Sequence, residues 1–105
     1  MIPRAVLLIS MVLLASCAYA QDGKGLVGQG RAVFRDQGCY GCHIAERMGT
    51  PIGPDLSRIG AKRNQADLTG WLRDPSTHRP SAHMPKIQLT EVEVEALAAY
   101  LASLQ

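Results

Sequence analysis

The sequence predicts an all-α domain built from three to four helices. Apolar residues recur at helical spacing in separate stretches, and no segment alternates apolar and polar residues as a half-buried strand does. The stretches between the periodic segments are punctuated by Gly and Pro, which mark loops and turns. The chain has 105 residues, 47% hydrophobic and 19% charged, which leaves room for one small domain. No internal repeat is visible.

Residues 1–20 read as a secretory signal: Arg4 precedes an apolar run from Ala5 to Ser16, and small residues follow. Two cleavage sites compete. Ala18, Tyr19 and Ala20 form an A-x-A site before Gln21, whereas Leu14, Ala15 and Ser16 before Cys17 resemble a bacterial lipobox. Cleavage at the first discards Cys17; cleavage at the second leaves it as a lipidated N-terminus and tethers the protein to a membrane. The apolar run is well short of the roughly 20 residues a transmembrane helix needs. Either cleavage exports the protein, so a periplasmic location is expected. Residues 21–25 are polar and Gly-rich and form a short flexible lead, and the folded domain is expected over 26–105.

The first helix is expected from Leu26 to Gln37, with Leu26, Val27, Val33 and Phe34 on one face and Gly38 stopping it. From Ile44 to Gly60 the repeated Gly and Pro predict a long loop. Leu68, Trp71 and Leu72 place a short helix over Asp67 to Asp74, ended by Pro75, and Pro80 and Pro85 hold a second irregular stretch. The last helix is the clearest. Thr90 and Glu93 form a capping box ahead of Val94, Leu97, Leu101 and Leu104, and Glu91, Glu93 and Glu95 suit the positive end of its dipole.

Beyond the leader the large aromatics are Phe34, Tyr40, Trp71 and Tyr100, a thin core for a domain of this size. Such domains often need a metal, disulfide or cofactor to complete what apolar side chains begin. The net charge of +2 at pH 7 falls by one with Arg4 removed and gives no ground for nucleic-acid binding.

Cys39, Tyr40, Gly41, Cys42 and His43 supply the missing element, because they spell C-x-x-C-H. In that motif two thiols add across the vinyl groups of a haem and the adjacent histidine ligates its iron. A helical turn carries both thioethers along one edge of the ring and leaves His43 beneath the metal. A thioredoxin-like dithiol would follow a strand, and none is expected here. A zinc site would have to recruit His78 and His83 from far along the chain, outside finger spacing.

The sixth iron ligand comes from the opposite face, and the candidates are Met48, Met84, His78 and His83. Even fully extended, the segment from His43 to Met48 reaches only about 18 Å, and Pro51 and Pro54 place it still on the proximal side. Met48 is therefore expected to fill a gap in the core. Met84 lies in a Pro-bounded loop long enough to wrap round and is the expected ligand, with neighbouring His83 its competitor.

The order helix, C-x-x-C-H, Gly53 to Leu56 (G-P-D-L), Trp71 to Pro75 (W-L-R-D-P), Met84-Pro85 and an amphipathic C-terminal helix resembles class I cytochromes c over nearly the whole domain. It is similar to the small monohaem domains that serve respiratory oxidases and periplasmic dehydrogenases. The resemblance implies a cytochrome c fold wrapped around one covalent haem c and its iron. It further implies that the Pro54 carbonyl accepts the Nδ1 proton of His43, and that Trp71 packs on the haem edge and donates its indole hydrogen to a propionate. Gly30 and Phe34 would meet Leu97 and Tyr100 where the first and last helices cross. Arg58, Lys62, Arg63, Arg73, Arg79 and Lys86 would contribute to a cationic rim for redox partners, with Arg63 a candidate to pair with a propionate.

The expected function is single-electron transfer through a His/Met-ligated haem, without catalytic residues of its own. A dehydrogenase would act as donor and an oxidase as acceptor. Two alternatives remain at this stage: a dedicated haem subunit of a larger oxidoreductase complex, and a sensor or peroxidatic haem protein with a vacant sixth position.

Overall fold

A computed structural model of the chain describes residues 25–105. The expected leader, its two cleavage sites and Cys17 lie outside the described residues. The first helix, α1, occupies residues 25–36 and ends as expected, with Gly38 in the left-handed region at φ 76° and its N–H on the Arg35 carbonyl. A single tight turn over Cys39–Gly41 follows directly.

One expectation fails here. Ile44–Ala45 (β1) and Met48–Gly49 (β2) form a short antiparallel ladder, with Ile44 opposite Gly49 and Ala45 opposite Met48. The two residues of its turn, Glu46 and Arg47, both have positive φ, at 50° and 66°. Tight hairpins of this kind are normally announced by Asn or Gly, so the sequence carried no signal for this one. A tertiary bond compensates for the strain: Arg31 on α1 grips Glu46 through two parallel hydrogen bonds, of 3.2 and 2.9 Å.

The remaining elements are helical. Single turns α2 (Ile59–Lys62) and α4 (Pro75–His78) flank α3 (Gln65–Arg73), and α5 runs over Glu91–Ser103. The Asn64 side chain caps α3 by accepting from the Asp67 N–H. Pro75 both stops α3 and begins α4 at a position where its missing N–H costs nothing, and the Asp74 side chain caps the new turn through the Ser76 N–H. This turn ends before the irregular stretch expected around Pro80 and Pro85. The capping box of α5 is present as read, with the Glu93 N–H on Thr90 Oγ1 and the Thr90 N–H on Glu93 Oε1.

The core is one cluster centred on α5. Val94, Leu97, Ala98, Tyr100, Leu101 and Leu104 meet Phe34 from α1, Ala45 from the hairpin, and Leu68 and Leu72 from α3. Gly30 permits the crossing of α1 over α5, because a Cβ there would run into the Ala96 carbonyl and sit 2.6 Å from Tyr100 Cβ. Phe34 stands edge-on to both Tyr40 and Tyr100, with centroids 4.7 and 5.7 Å away. Leu97 lies in the same cluster, so the expected helix crossing is present, with Ala96 and Tyr100 making the closest approach to the glycine. Gly60 closes the lower end, donating its N–H to the Leu104 carbonyl at 2.7 Å.

Candidate functional site

The C-x-x-C-H segment is a helical turn because its backbone bonds close on Cys39. The Cys42 and His43 N–H groups both reach the Cys39 carbonyl, at 3.2 and 2.9 Å. Cys39 and Cys42 are unpaired thiols, the first half-buried and the second exposed. Burial pushes the Cys39 thiol above its ordinary pKa.

His43 is held from the side. Its Nδ1 lies 2.7 Å from the Pro54 carbonyl oxygen. A carbonyl can only accept, so Nδ1 carries a proton in this bond, which leaves Nε2 as the ring nitrogen available to a metal. That is the expected arrangement, and two glycines unremarked in this role make it possible. At Gly53 a Cβ would approach His43 Cε1 to 2.8 Å, so the loop bearing Pro54 closes on the ring only without a side chain there. At Gly49, φ is 113° and a Cβ would strike the His43 carbonyl. Both glycines are visible in the sequence, but only the folded chain shows that Gly53 faces the His43 ring and Gly49 its backbone carbonyl.

Across the fold, α3 presents Trp71. Its indole Nε1–H donates to Met84 Sδ at 3.2 Å. The Trp71 ring also neighbours His78, with centroids 6.4 Å apart, and His78 occupies the space left by the missing side chain of Gly70. The structure therefore gathers Cys39, Cys42, His43 and Pro54 into one group, and Trp71 and Met84 into another.

Other expectations change. Met48 is 53% exposed on β2 and does not fill a gap in the core. Arg73 is tied to Glu91 by two bonds of 3.2 and 2.9 Å, which removes it from the set of free cations, while Arg58, Lys62, Arg63, Arg79 and Lys86 are exposed. His83 is exposed next to the half-buried Met84. Among the described residues no group of three or more His, Cys, Asp or Glu side chains is placed to hold a metal ion by itself, so Cys39, Cys42, His78 and His83 do not assemble a zinc site. Two thiols to grip a ring at its rim, and one neutral imidazole nitrogen to meet its centre, fit a haem better than a lone ion.

The fold and this donor set define a small helical domain that carries a covalently attached redox cofactor. The chain belongs to the cytochrome c family, whose model, described as Cytochrome c, matches residues 27–105. The bound group is accordingly haem c with its iron, and the domain's role is electron transfer through that haem. The chain is similar to cytochrome c oxidase subunit 2 of Alkalihalophilus pseudofirmus, with 36% identity over 89 residues, covering 76% of this chain and 26% of that protein. It is also similar to cytochrome c oxidase subunit 2 of Bacillus sp. strain PS3, with 31% identity over 96 residues, covering 73% and 26% respectively. The chain thus spans about a quarter of the length of these relatives. Among solved structures, the c-type cytochrome SorU from Sinorhizobium meliloti shares the fold at a TM-score of 0.62 and 22% identity, covering 77% of this chain and 92% of that one.

Proposed function

We propose that this domain is a His/Met-ligated single-electron carrier that works outside the cytoplasm, in a periplasmic or respiratory chain, with His43 and Met84 as the axial ligands. The observation that carries this reading is the pairing of two prepared donors. His43 is fixed as the Nδ1–H tautomer by Pro54, and Met84 is the one candidate sixth ligand whose donor atom is held by another side chain of the fold. Bound here, haem supplies a one-electron couple between ferric and ferrous iron.

The residues around it hold and orient. Cys39 and Cys42 tether the ring by thioether bonds. The hydrogen bond from His43 Nδ1 to Pro54 fixes the imidazole plane and raises its basicity. A methionine on the other face raises the potential relative to two histidines and leaves no position open to a substrate, which argues against the sensor and peroxidatic readings. The exposed Arg58, Lys62, Arg63, Arg79 and Lys86 favour an acidic docking face on a dehydrogenase donor or an oxidase acceptor.

A second reading has its own support. The matched stretch occupies about a quarter of relatives whose names describe them as oxidase subunits, which favours a haem domain resident in a larger oxidoreductase complex. Co-purification of stoichiometric partners distinguishes this from a free shuttle. The leader is read as an export signal, with Cys17 as a lipid tether in one of its two forms, and the intact mass of the mature protein separates the two. Among the described residues no helix is long and apolar enough to cross a membrane.

An optical spectrum of the purified holoprotein tests the ligation. Low-spin haem with a methionine-to-iron charge-transfer band, and no carbon monoxide binding after reduction, is the expected result. Replacing Met84 with Ala abolishes that band and opens the haem to added ligands; survival of the band in this variant overturns the assignment.

A further inference from the structure

The turn of the β1–β2 hairpin is held closed from outside the hairpin. Glu46 and Arg47 form its two-residue loop, between the paired Ala45 and Met48, and both have positive φ. A two-residue loop of that shape suits Asn-Gly, whereas long side chains are strained in it. The opposing force comes from α1. Arg31 gives Glu46 its two parallel hydrogen bonds while its guanidinium lies 5.4 Å from the centre of the Tyr100 ring. Tyr100 is fully buried on α5, and Gly30, beside Arg31, is in direct backbone contact with that helix, so the arginine is anchored on the core.

The strand returning from this turn runs to His43. Gly49 lies between the His43 carbonyl and the Tyr40 ring: a Cβ there would strike the first and stand 3.2 Å from the second. Thr50 then donates its N–H to the same carbonyl at 3.3 Å. A few residues later the chain reaches Pro54, whose carbonyl holds the ring at Nδ1. Both ends of His43, backbone and imidazole, are therefore held by the segment that the turn aims.

We propose that Arg31 is a positioning residue for His43: by clamping Glu46 it keeps the strained turn closed, and the closed turn sets the placement of the His43 backbone and the orientation of its imidazole toward the iron. This rests on the reading of His43 as an iron ligand.

The magnitudes are compatible with that role. The ion pair is well exposed, so it adds little to the stability of the whole domain. Its leverage is local, because a short hairpin opens at far less cost than the domain unfolds, and a small contact is enough to shift that equilibrium. Orientation of a ligating imidazole by groups that do not touch the metal is a recognised way of tuning it. Arg31 acts one step further out, through the backbone that carries the ring.

The test uses haem-loaded protein with isotope-labelled histidine, as wild type, as Arg31→Gln, as the turn variant Glu46→Asn with Arg47→Gly, and as all three changes together. Ferric low-spin iron displaces the NMR signals of a ligated imidazole by an amount that depends on ring orientation. The displaced ring belongs to His43 if it survives in both His78→Gln and His83→Gln. The expected result is that Arg31→Gln moves the His43 ring signals and speeds exchange of the Thr50 amide about fivefold, the worth of one net hydrogen bond, with the denaturant midpoint nearly unchanged. The turn variant holds its own loop closed, so adding Arg31→Gln to it is expected to move neither readout.

Ring signals and Thr50 exchange that ignore Arg31→Gln overturn the proposal, as does a lowered midpoint with the ring signals unmoved, which makes the pair a stabilising contact only. An Arg31→Gln effect of equal size in the turn variant also overturns it, since the arginine then acts through its charge or its contact with Tyr100. If no displaced ring survives in both His78→Gln and His83→Gln, the ligation reading fails and takes this proposal with it. A displaced His43 ring that is indifferent to Arg31 overturns this proposal alone.

Discussion

The two sides of the site are built in opposite ways. From Gly38 to Leu56 the chain folds back on itself through a dense set of local bonds: His43 to Cys39, Gly53 to Cys42, Thr50 to His43 and Leu56 to Ile44, with the His43 ring pinned on the Pro54 carbonyl. Among the described residues, one backbone bond from the Ala82 N–H and one side-chain bond from a different helix hold the stretch from Pro80 to Leu89. The first side is specified by residues close together in sequence. The second depends on where α3 puts Trp71. If His43 and Met84 are the axial ligands proposed above, this division lets the attachment step proceed once the local side alone has formed.

Substitutions that break the contrast rank by how much of the local side they remove. The double change Cys39→Ala and Cys42→Ala leaves nothing to form thioether bonds, so haem no longer migrates with the chain on a denaturing gel, an all-or-none loss read by haem staining. Gly53→Val comes next. A Cβ at this position meets the His43 ring at 2.8 Å, so the Pro54 loop cannot close and the imidazole loses the bond that orients it. Loss of such an outer partner typically lowers metal affinity 10- to 100-fold, and the yield of low-spin holoprotein is expected to fall by about tenfold or more.

Met84→Ala sharpens the comparison from the other side. Hydrogen exchange of the holoprotein is expected to speed up by about tenfold within residues 79–89 and to stay unchanged at His43, Gly53 and Leu56. Acceleration spread over both sides would show that the two regions are not independent.

The smallest effect concerns the hairpin. Arg31 holds the Glu46 carboxyl below its ordinary pKa, first through their hydrogen bonds and then through charge. A depressed carboxylate contributes stability above its unfolded value, about 4.3, and loses it as the pH falls through the lower folded value. Glu46→Gln is therefore expected to shift the denaturant midpoint slightly at pH 7 and not at all at strongly acidic pH. A difference that persists in acid assigns the effect to packing rather than to the ion pair. The pair is well exposed, so salt should shrink it further.

Much of this was legible beforehand, for reasons that differ by element. Gly38 ends α1 and Thr90 with Glu93 starts α5 because caps are local hydrogen-bonding devices written in a few adjacent residues. C-x-x-C-H was legible for the same reason, since its turn closes within five residues. The hairpin was not, because Glu46 and Arg47 take positive φ without the Gly or Asn that usually signals it, and a partner on α1 holds them there. Met48 read as a core residue because methionine usually fills gaps in a small core, yet on β2 it is exposed to solvent while Ala45 opposite it is buried. Arg73 read as a free cation until α5 brought Glu91 to it.

By itself, then, the sequence determined the helical class of the domain and its covalently bound haem, because apolar periodicity, caps and the C-x-x-C-H motif are each written within one continuous stretch of chain. Only the tertiary structure decided that Gly53 and Gly49 clear the space around His43, and that the Trp71 indole meets Met84 rather than some other acceptor. Those pairings join residues brought together by the packing of α3, the hairpin and the distal loop. No local propensity encodes which side chain a neighbour from another element will meet.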